Sequence, residues 1–392
     1  MIEFMNINLV GLSKFEEAFV TKTQLSTKQA AEKLGVSTST IYRMVDNGIL
    51  TPSKTQGGHR RFDIDQLEDF LKNSSEIQSA QNPSKTATSS VESATEESKE
   101  KKVDPRNTLN DLTGSEWLPE TKSFFYQKGL GSKHPHAQIE RQHPAPYSYQ
   151  DVEHLITFFT KRGQRVIDPF GGVGSTAKAC ELEGRICTSI ELSEKWHNLA
   201  IKRLEFEVGE GTSSNHVFIN GDCIEELRKI DSNTFDFMVT SPPYWSILNK
   251  KADYKVKEAR VKENLATNYS DNDPKDLANI TDYDEFLDIL VDDVFLQVAR
   301  VLKPKAYMCI VVSDFRNKSE FVSFHSDLIQ KMKGREIPEG GLLALQGVKV
   351  LLQNHKSLLP YGYPFAYVEN IHHQYVLVFR KMEEKKSKAK RK

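Results

Sequence analysis

Between residues 105 and 381 the chain alternates short apolar runs with longer amphipathic ones. The apolar runs predict strands at Arg165–Asp168, Arg185–Glu191, His216–Asn220, Phe235–Ser241, Ala306–Val312 and Tyr375–Arg380. Apolar positions three and four apart predict helices at Ser175–Glu183, Ser193–Glu207, Cys223–Lys229 and Asp282–Val301. Strands that are apolar almost throughout are shielded on both faces, so they belong in a parallel-type sheet with helices on each side. The expected fold class is therefore α/β and doubly wound, with its ligand at the carboxyl ends of the strands. Lys250–Asn279 and Asn317–Gly347 break this rhythm and read as insertions.

Residues 22–72 follow another pattern. Ala30, Leu34, Val36, Ile41 and Val45 form one apolar face over two helical stretches, and Gly35 allows the turn between them. Thr55-Gln56-Gly57-Gly58-His59-Arg60-Arg61-Phe62 follows as a glycine turn with a basic tip. The pattern resembles the small winged helix-turn-helix domains of the excisionase and MerR type. Residues 73–104 are rich in Ser, Thr, Glu and Lys and hold no aromatic residue. Such a stretch buries too little apolar surface to offset its ordering entropy, so it reads as a flexible linker. The catalytic segment runs from 105 to 381, and 382–392 is a basic tail read as a solvated end.

A formal net charge of −1 hides a local asymmetry. From 25 to 61 there are six Lys or Arg residues against two acids, an excess that suits a phosphate backbone. Ser37, Thr38, Thr40 and Arg43 would point outward from the second helix into a major groove. His59, Arg60 and Arg61 on the wing would touch phosphate or the minor groove. The competing reading is a protein-docking module with a solvated basic face.

Composition narrows the class further. Of 392 residues, 27% are charged and 38% hydrophobic, an ordinary soluble balance. No run approaches the ~18 apolar residues of a membrane helix, and the N-terminus lacks the pattern of a signal peptide. Cys180, Cys187, Cys223 and Cys309 have no zinc-ligand spacing and read as core thiols of a cytoplasmic protein. No metal site is expected.

Two turns carry the candidate chemistry. The first predicted strand ends in Asp168-Pro169-Phe170-Gly171-Gly172-Val173-Gly174-Ser175, and a helix follows. Glycines there let the backbone approach a ligand, although a tight turn with packing duties alone has the same sequence. Glu191 ends the next strand, 23 residues on, where an acid accepts hydrogen bonds from ribose hydroxyls. Asp222 follows the third strand, suited to an adenine edge and equally to capping the next helix. A dinucleotide turn would hold pyrophosphate, which the acid at the front, Asp168, would repel. S-adenosylmethionine instead carries an ammonium, a sulfonium and a ribose diol. The second turn is Thr240-Ser241-Pro242-Pro243-Tyr244-Trp245, a core strand ended by two prolines with two rings beyond them.

DPFGGVGST followed by TSPPYW resembles the amino-group DNA methyltransferases, which modify N4 of cytosine or N6 of adenine. The likeness covers roughly residues 133–381. It implies a methyltransferase fold, S-adenosylmethionine as cofactor and double-stranded DNA as substrate, with a restriction endonuclease as the partner such enzymes can have. It also implies that Pro144, within His143-Pro144-Ala145-Pro146-Tyr147, lies at the methionine end of the cofactor. Asp168, Pro169, Phe170, Gly171, Gly172, Gly174, Ser175, Glu191 and Asp222 complete the expected cofactor set. Ser241, Pro242, Pro243 and Tyr244 are the expected catalytic set. There a backbone carbonyl and Ser241 accept the N–H bonds of a flipped base, and Tyr244 stacks on its ring. Ser rather than Asp at 241 leans toward cytosine N4, with adenine N6 as the alternative. Cytosine C5 chemistry is excluded, because it needs a Pro-Cys nucleophile that is absent. Lys305 stands where the family has glycine after Lys-Pro. Two rivals share the motifs: an RNA or protein amide methyltransferase, and an inactive DNA-binding regulator.

Overall fold

The computed structural model describes residues 24–34, 41, 45, 50–54, 60–68, 102–128, 134–247, 260–263, 265–270, 273–354 and 356–383. The chain divides into two units, residues 1–97 and 98–392. The predicted DNA contacts Ser37, Thr38, Thr40, Arg43 and His59 lie outside the described residues, as do most of the linker and nearly all of the basic tail.

In the first unit, β1 (Gln24–Ser26), β2 (Ser53–Lys54) and β3 (Arg60–Asp63) form an antiparallel sheet in the order β1-β3-β2. A helix spans Thr27–Leu34. Its start is a capping box: Gln29 Oε1 accepts from Ser26 N at 3.0 Å, and Gln29 N donates to Ser26 Oγ at 3.4 Å. Ala30, Ala31, Ile41, Leu50, Phe62 and Leu67 form a small core, with Leu34 and Val45 packed on it. Arg60 and Arg61 pair with Lys54 and Ser53 across the hairpin that the sequence reads as a wing.

The second unit is built on an eight-stranded sheet in the order β4-β12-β13-β9-β8-β5-β6-β7. Its strands are β4 (Phe124–Tyr126), β5 (Arg165–Asp168), β6 (Ile186–Glu191), β7 (Val217–Asn220), β8 (Phe235–Thr240), β9 (Leu302–Val312), β12 (Leu342–Leu352) and β13 (His373–Met382). β10 (Phe315–Asn317) and β11 (Glu320–Val322) form a separate hairpin. From β5 the chain winds one way through β6 and β7 and the other way through β8 and β9, all parallel. The expected doubly wound α/β fold is present. It is not wholly parallel, because β13 runs antiparallel to both β9 and β12. β12 runs through the end of the stretch read as the second insertion, so that reading is corrected.

Side-chain alternation explains the two covered faces. Met238 of β8, with Met308, Ile310 and Val312 of β9, enters one core. Phe237 and Val239, with Cys309 and Val311, enter the other. Full burial of one such side chain contributes about 1.5–3 kcal/mol. Helices Ser175–Glu183 and Cys223–Lys229 match their predicted bounds. Asp222 caps the second, accepting from Ile224 N at 3.0 Å. The predicted Asp282–Val301 helix is capped by Asp282 and carries a π-helical turn at Leu290–Phe295.

Candidate active site

β5 and β8 are neighbours, and their carboxyl ends mark the point where the winding reverses. Beside them lies a cleft lined by residues of both candidate turns. Pro169, Phe170, Gly171, Gly172 and Ser175 form one wall. Glu191, Asp222, Ser241 and Pro243 also line it. Residues predicted from two separate motifs therefore meet in one cavity. Pro144, Asp168, Gly174, Pro242 and Tyr244 are not on its wall. Pro146, two residues on from Pro144, is.

Asp168 stands behind the glycine turn, wholly buried. Its Oδ1 accepts from Thr240 Oγ1 at 2.6 Å and from Phe170 N at 3.1 Å. Its Oδ2 accepts from Thr176 Oγ1 at 2.5 Å and from Tyr147 OH at 2.7 Å. Burial pushes its carboxyl above the usual carboxylate range, and the three hydroxyl donors and Phe170 N pull it back. All four donors come from within the chain, and through them Asp168 holds the turn together.

Gly171 has its own reason to be glycine. A Cβ there would fall 1.9 Å from Ser189 Oγ, so the turn needs glycine to pass β6 closely. That is a packing demand within the chain. Gly172 N donates to Glu191 Oε2 at 2.8 Å, and Ser193 N donates to Glu191 Oε1 at 2.8 Å. Burial pushes the Glu191 carboxyl up to about 7 despite these two bonds. A half-neutral acid on a ligand cavity is the kind of group that binding shifts.

Beyond Ser241, the rings are less open than the sequence suggests. Tyr244 is half-buried, and its hydroxyl accepts from Gln374 Nε2 at 3.1 Å and lies 3.5 Å from Ser241 Oγ. Trp245 is buried, with its ring 5.1 Å from Tyr283 and 6.3 Å from Phe315. Trp245 is a packing anchor.

Several wall residues lie outside the expected cofactor and catalytic sets. His143 packs edge-on against Trp196 at 5.0 Å, and burial holds its ring neutral, down to about 3. Tyr269, Ser270, Lys275, Asp276 and Leu277 belong to the first stretch read as an insertion, so that stretch walls the cleft. Trp196 Nε1 donates to Tyr269 O at 2.9 Å and fixes it there. A buried charge network backs the glycine turn. Arg203 donates to Glu207 Oε2 at 3.0 Å, Glu140 Oε2 at 2.6 Å, Ser175 Oγ at 3.0 Å and Val173 O at 3.2 Å. Lys178 meets Glu207 at 2.6 Å. Arg203 and Glu207 are four apart on one helix, the only sequence signal of this network.

Residues 16–202 match the N6_N4_Mtase family, described as DNA methylase. YubD of Escherichia coli strain K12, named as an inferred methylase, is 39% identical over 64 residues. That match covers 16% of this chain, which spans 28% of YubD's length. Among solved structures, TTHA0409 of Thermus thermophilus, described as an inferred DNA modification methylase, is 22% identical with a TM-score of 0.25. The likeness covers 41% of this chain and 51% of that one. A TehB-like methyltransferase of Corynebacterium glutamicum is 14% identical with a TM-score of 0.30, covering 59% and 86% of the two chains. The matched stretch, just under half of the chain, is similar to the N6_N4 DNA methylases.

Proposed function

We propose that the protein transfers a methyl group from S-adenosylmethionine to an exocyclic amine of a flipped base in DNA, N4 of cytosine first. The observation that carries this reading is one cleft shared by Ser241 and Pro243 with the glycine turn and Glu191. The wall suits the cofactor. Its acids are Glu191, Asp222 and Asp276, and Lys275 on the same wall is already paired with Glu225 at 2.7 Å. An acidic wall favours a cation and disfavours pyrophosphate. Bound there, S-adenosylmethionine supplies a methyl group on a positively charged sulfur.

The chain's own residues do the rest. Glu191 accepts hydrogen bonds from ribose hydroxyls, and Asp222 meets the adenine edge while still capping its helix. Ser241 Oγ and a backbone carbonyl of the proline turn accept the N–H bonds of the target amine and aim its nitrogen. Positioning of this kind supplies several kcal/mol of a barrier. Tyr244, held by Gln374, stacks on the base, a contact worth about 1–3 kcal/mol. Ser241 in place of Asp favours cytosine; adenine N6 is the second reading. The first unit serves as a DNA reader, supported by its basic excess and by the hairpin that carries Arg60 and Arg61.

The test is transfer of labelled methyl groups from S-adenosylmethionine to duplex DNA by the full chain. Label on DNA, followed by methylation-aware sequencing, gives the base. Label on RNA alone overturns the reading.

A further inference from the structure

β13 runs antiparallel to β9, with Tyr375 opposite Val312 at the end of β9. The connection from β12 to β13 therefore emerges on the same edge of the sheet as Ser241–Trp245. Gln353 N closes its base on His372 O at 2.8 Å. The first turn of β13 reaches the catalytic motif directly, because Gln374 Nε2 donates to Tyr244 OH at 3.1 Å.

At the far end of this connection, Tyr363 is 81% exposed, Phe365 93% and Tyr367 86%. Exposed rings in such a group mark an interaction surface. The backbone that carries them is held. Phe365 N and Ala366 N each donate to Gly362 O at 2.7 Å. Gly362 sits at φ 74, and a Cβ there would meet Ala366 O at 2.4 Å, so only glycine fits. Asn370 braces the other side, donating to Leu359 O at 2.8 Å and accepting from Leu359 N at 3.0 Å. The internal bonds of the turn leave the three rings to face water.

We propose that Tyr363, Phe365 and Tyr367 form a stacking platform for unpaired DNA bases beside the active site. The proposal rests on the DNA methyltransferase reading. Three features select DNA bases as the occupant: emergence of the connection at the same end of the sheet as Ser241–Trp245, a braced turn that leaves three rings exposed, and a reaction that leaves bases unstacked at this end. Every base has a π face, so such a platform tolerates sequence and adds affinity without adding charge.

The test uses the full chain and unmethylated plasmid DNA. A Tyr363→Ala/Phe365→Ala/Tyr367→Ala variant should lose about tenfold or more in kcat/KM for DNA. Its affinity for S-adenosylmethionine and its melting temperature should not move. Its DNA affinity should fall by a similar factor at every salt concentration, leaving the slope of log K against log salt unchanged, since no cation is removed. Tyr363→Phe/Tyr367→Phe keeps the rings and should keep the activity. Wild-type kcat/KM in the alanine variant overturns the platform. So does an effect confined to the oligomeric mass, which would make the rings a contact between copies, or to co-sedimentation with phosphatidylglycerol vesicles. A wild-type chain that methylates no DNA instead overturns the reading beneath it.

Discussion

Thr240 Oγ1 donates a 2.6 Å hydrogen bond to Asp168 Oδ1, joining the last residue of β8 to the last residue of β5. The next residues on those two strands are Ser241 and Pro169, so this one bond registers the candidate catalytic turn against the cofactor turn. Thr240→Val removes the donor from a buried carboxylate. The expected cost is about 1–3 kcal/mol of stability, read by chemical denaturation, with a fall in methyl transfer beyond any fall in cofactor affinity. A variant as stable and as active as the parent would show that the two turns are placed independently.

Glu191 gives the cleft a pH dependence. Its carboxyl titrates at about 7 in the free protein, and hydrogen bonds from ribose hydroxyls favour its ionised form. Affinity for S-adenosylmethionine should be full above pH 7 and fall as pH drops below it, measured by calorimetry. Glu191→Gln should bind more weakly and flatten that profile. Stability of the free protein moves the other way. The folded state holds this proton more tightly than the unfolded chain, so the contribution is present at low pH and is lost as pH rises from about 4.5 to 7.

Arg203 is wholly buried between Glu207 and Glu140 while also holding Val173 O and Ser175 Oγ. Arg203→Met takes Arg203 from Glu140 and leaves Glu207 with Lys178. Breaking a buried pair in this way costs about 3–5 kcal/mol, which denaturant titration would register. A loss under about 1 kcal/mol would mean that the network relaxes around the gap.

Ser241→Ala and Tyr244→Ala address the target base. Both should retain S-adenosylmethionine binding by calorimetry and lose methyl transfer to DNA. Loss of cofactor binding in Tyr244→Ala would place that ring in the cofactor site after all.

Arg60→Ala should weaken DNA binding about equally across sequences and reduce the salt slope by about one. Deleting residues 1–104 should lower DNA affinity or loosen specificity. Unchanged binding in both variants would make the first unit a protein dock.

Lys305 stands where the sequence resemblance expects glycine. Its φ is 68, in the left-handed region, where a side chain costs about 1–2 kcal/mol. Glycine adopts that conformation without this cost.

Much of this protein was legible along the chain. Apolar runs and period-3.6 apolar patterns located β5, β8 and the Ser175–Glu183 and Cys223–Lys229 helices, because each such pattern depends on neighbours close in sequence. β12 was not legible. Its alternation slips at Gly347, where the register with β13 shifts between Leu345 and Gly347, so the inward set changes phase within the strand. Local chemistry likewise marked Glu191, Asp222 and the two turns, since motifs are short.

What only the tertiary structure decided is where the charges go. Asp168 reads as the acid at the front of the first turn, and Tyr147, Thr176 and Thr240, from three separate segments, donate to its oxygens. The Lys250–Asn279 stretch reads as an insertion, yet Tyr269 and Asp276 wall the cleft. A hydrogen-bond partner 72 residues away leaves no periodic trace in the chain, because folding, not spacing, brings donor and acceptor within reach.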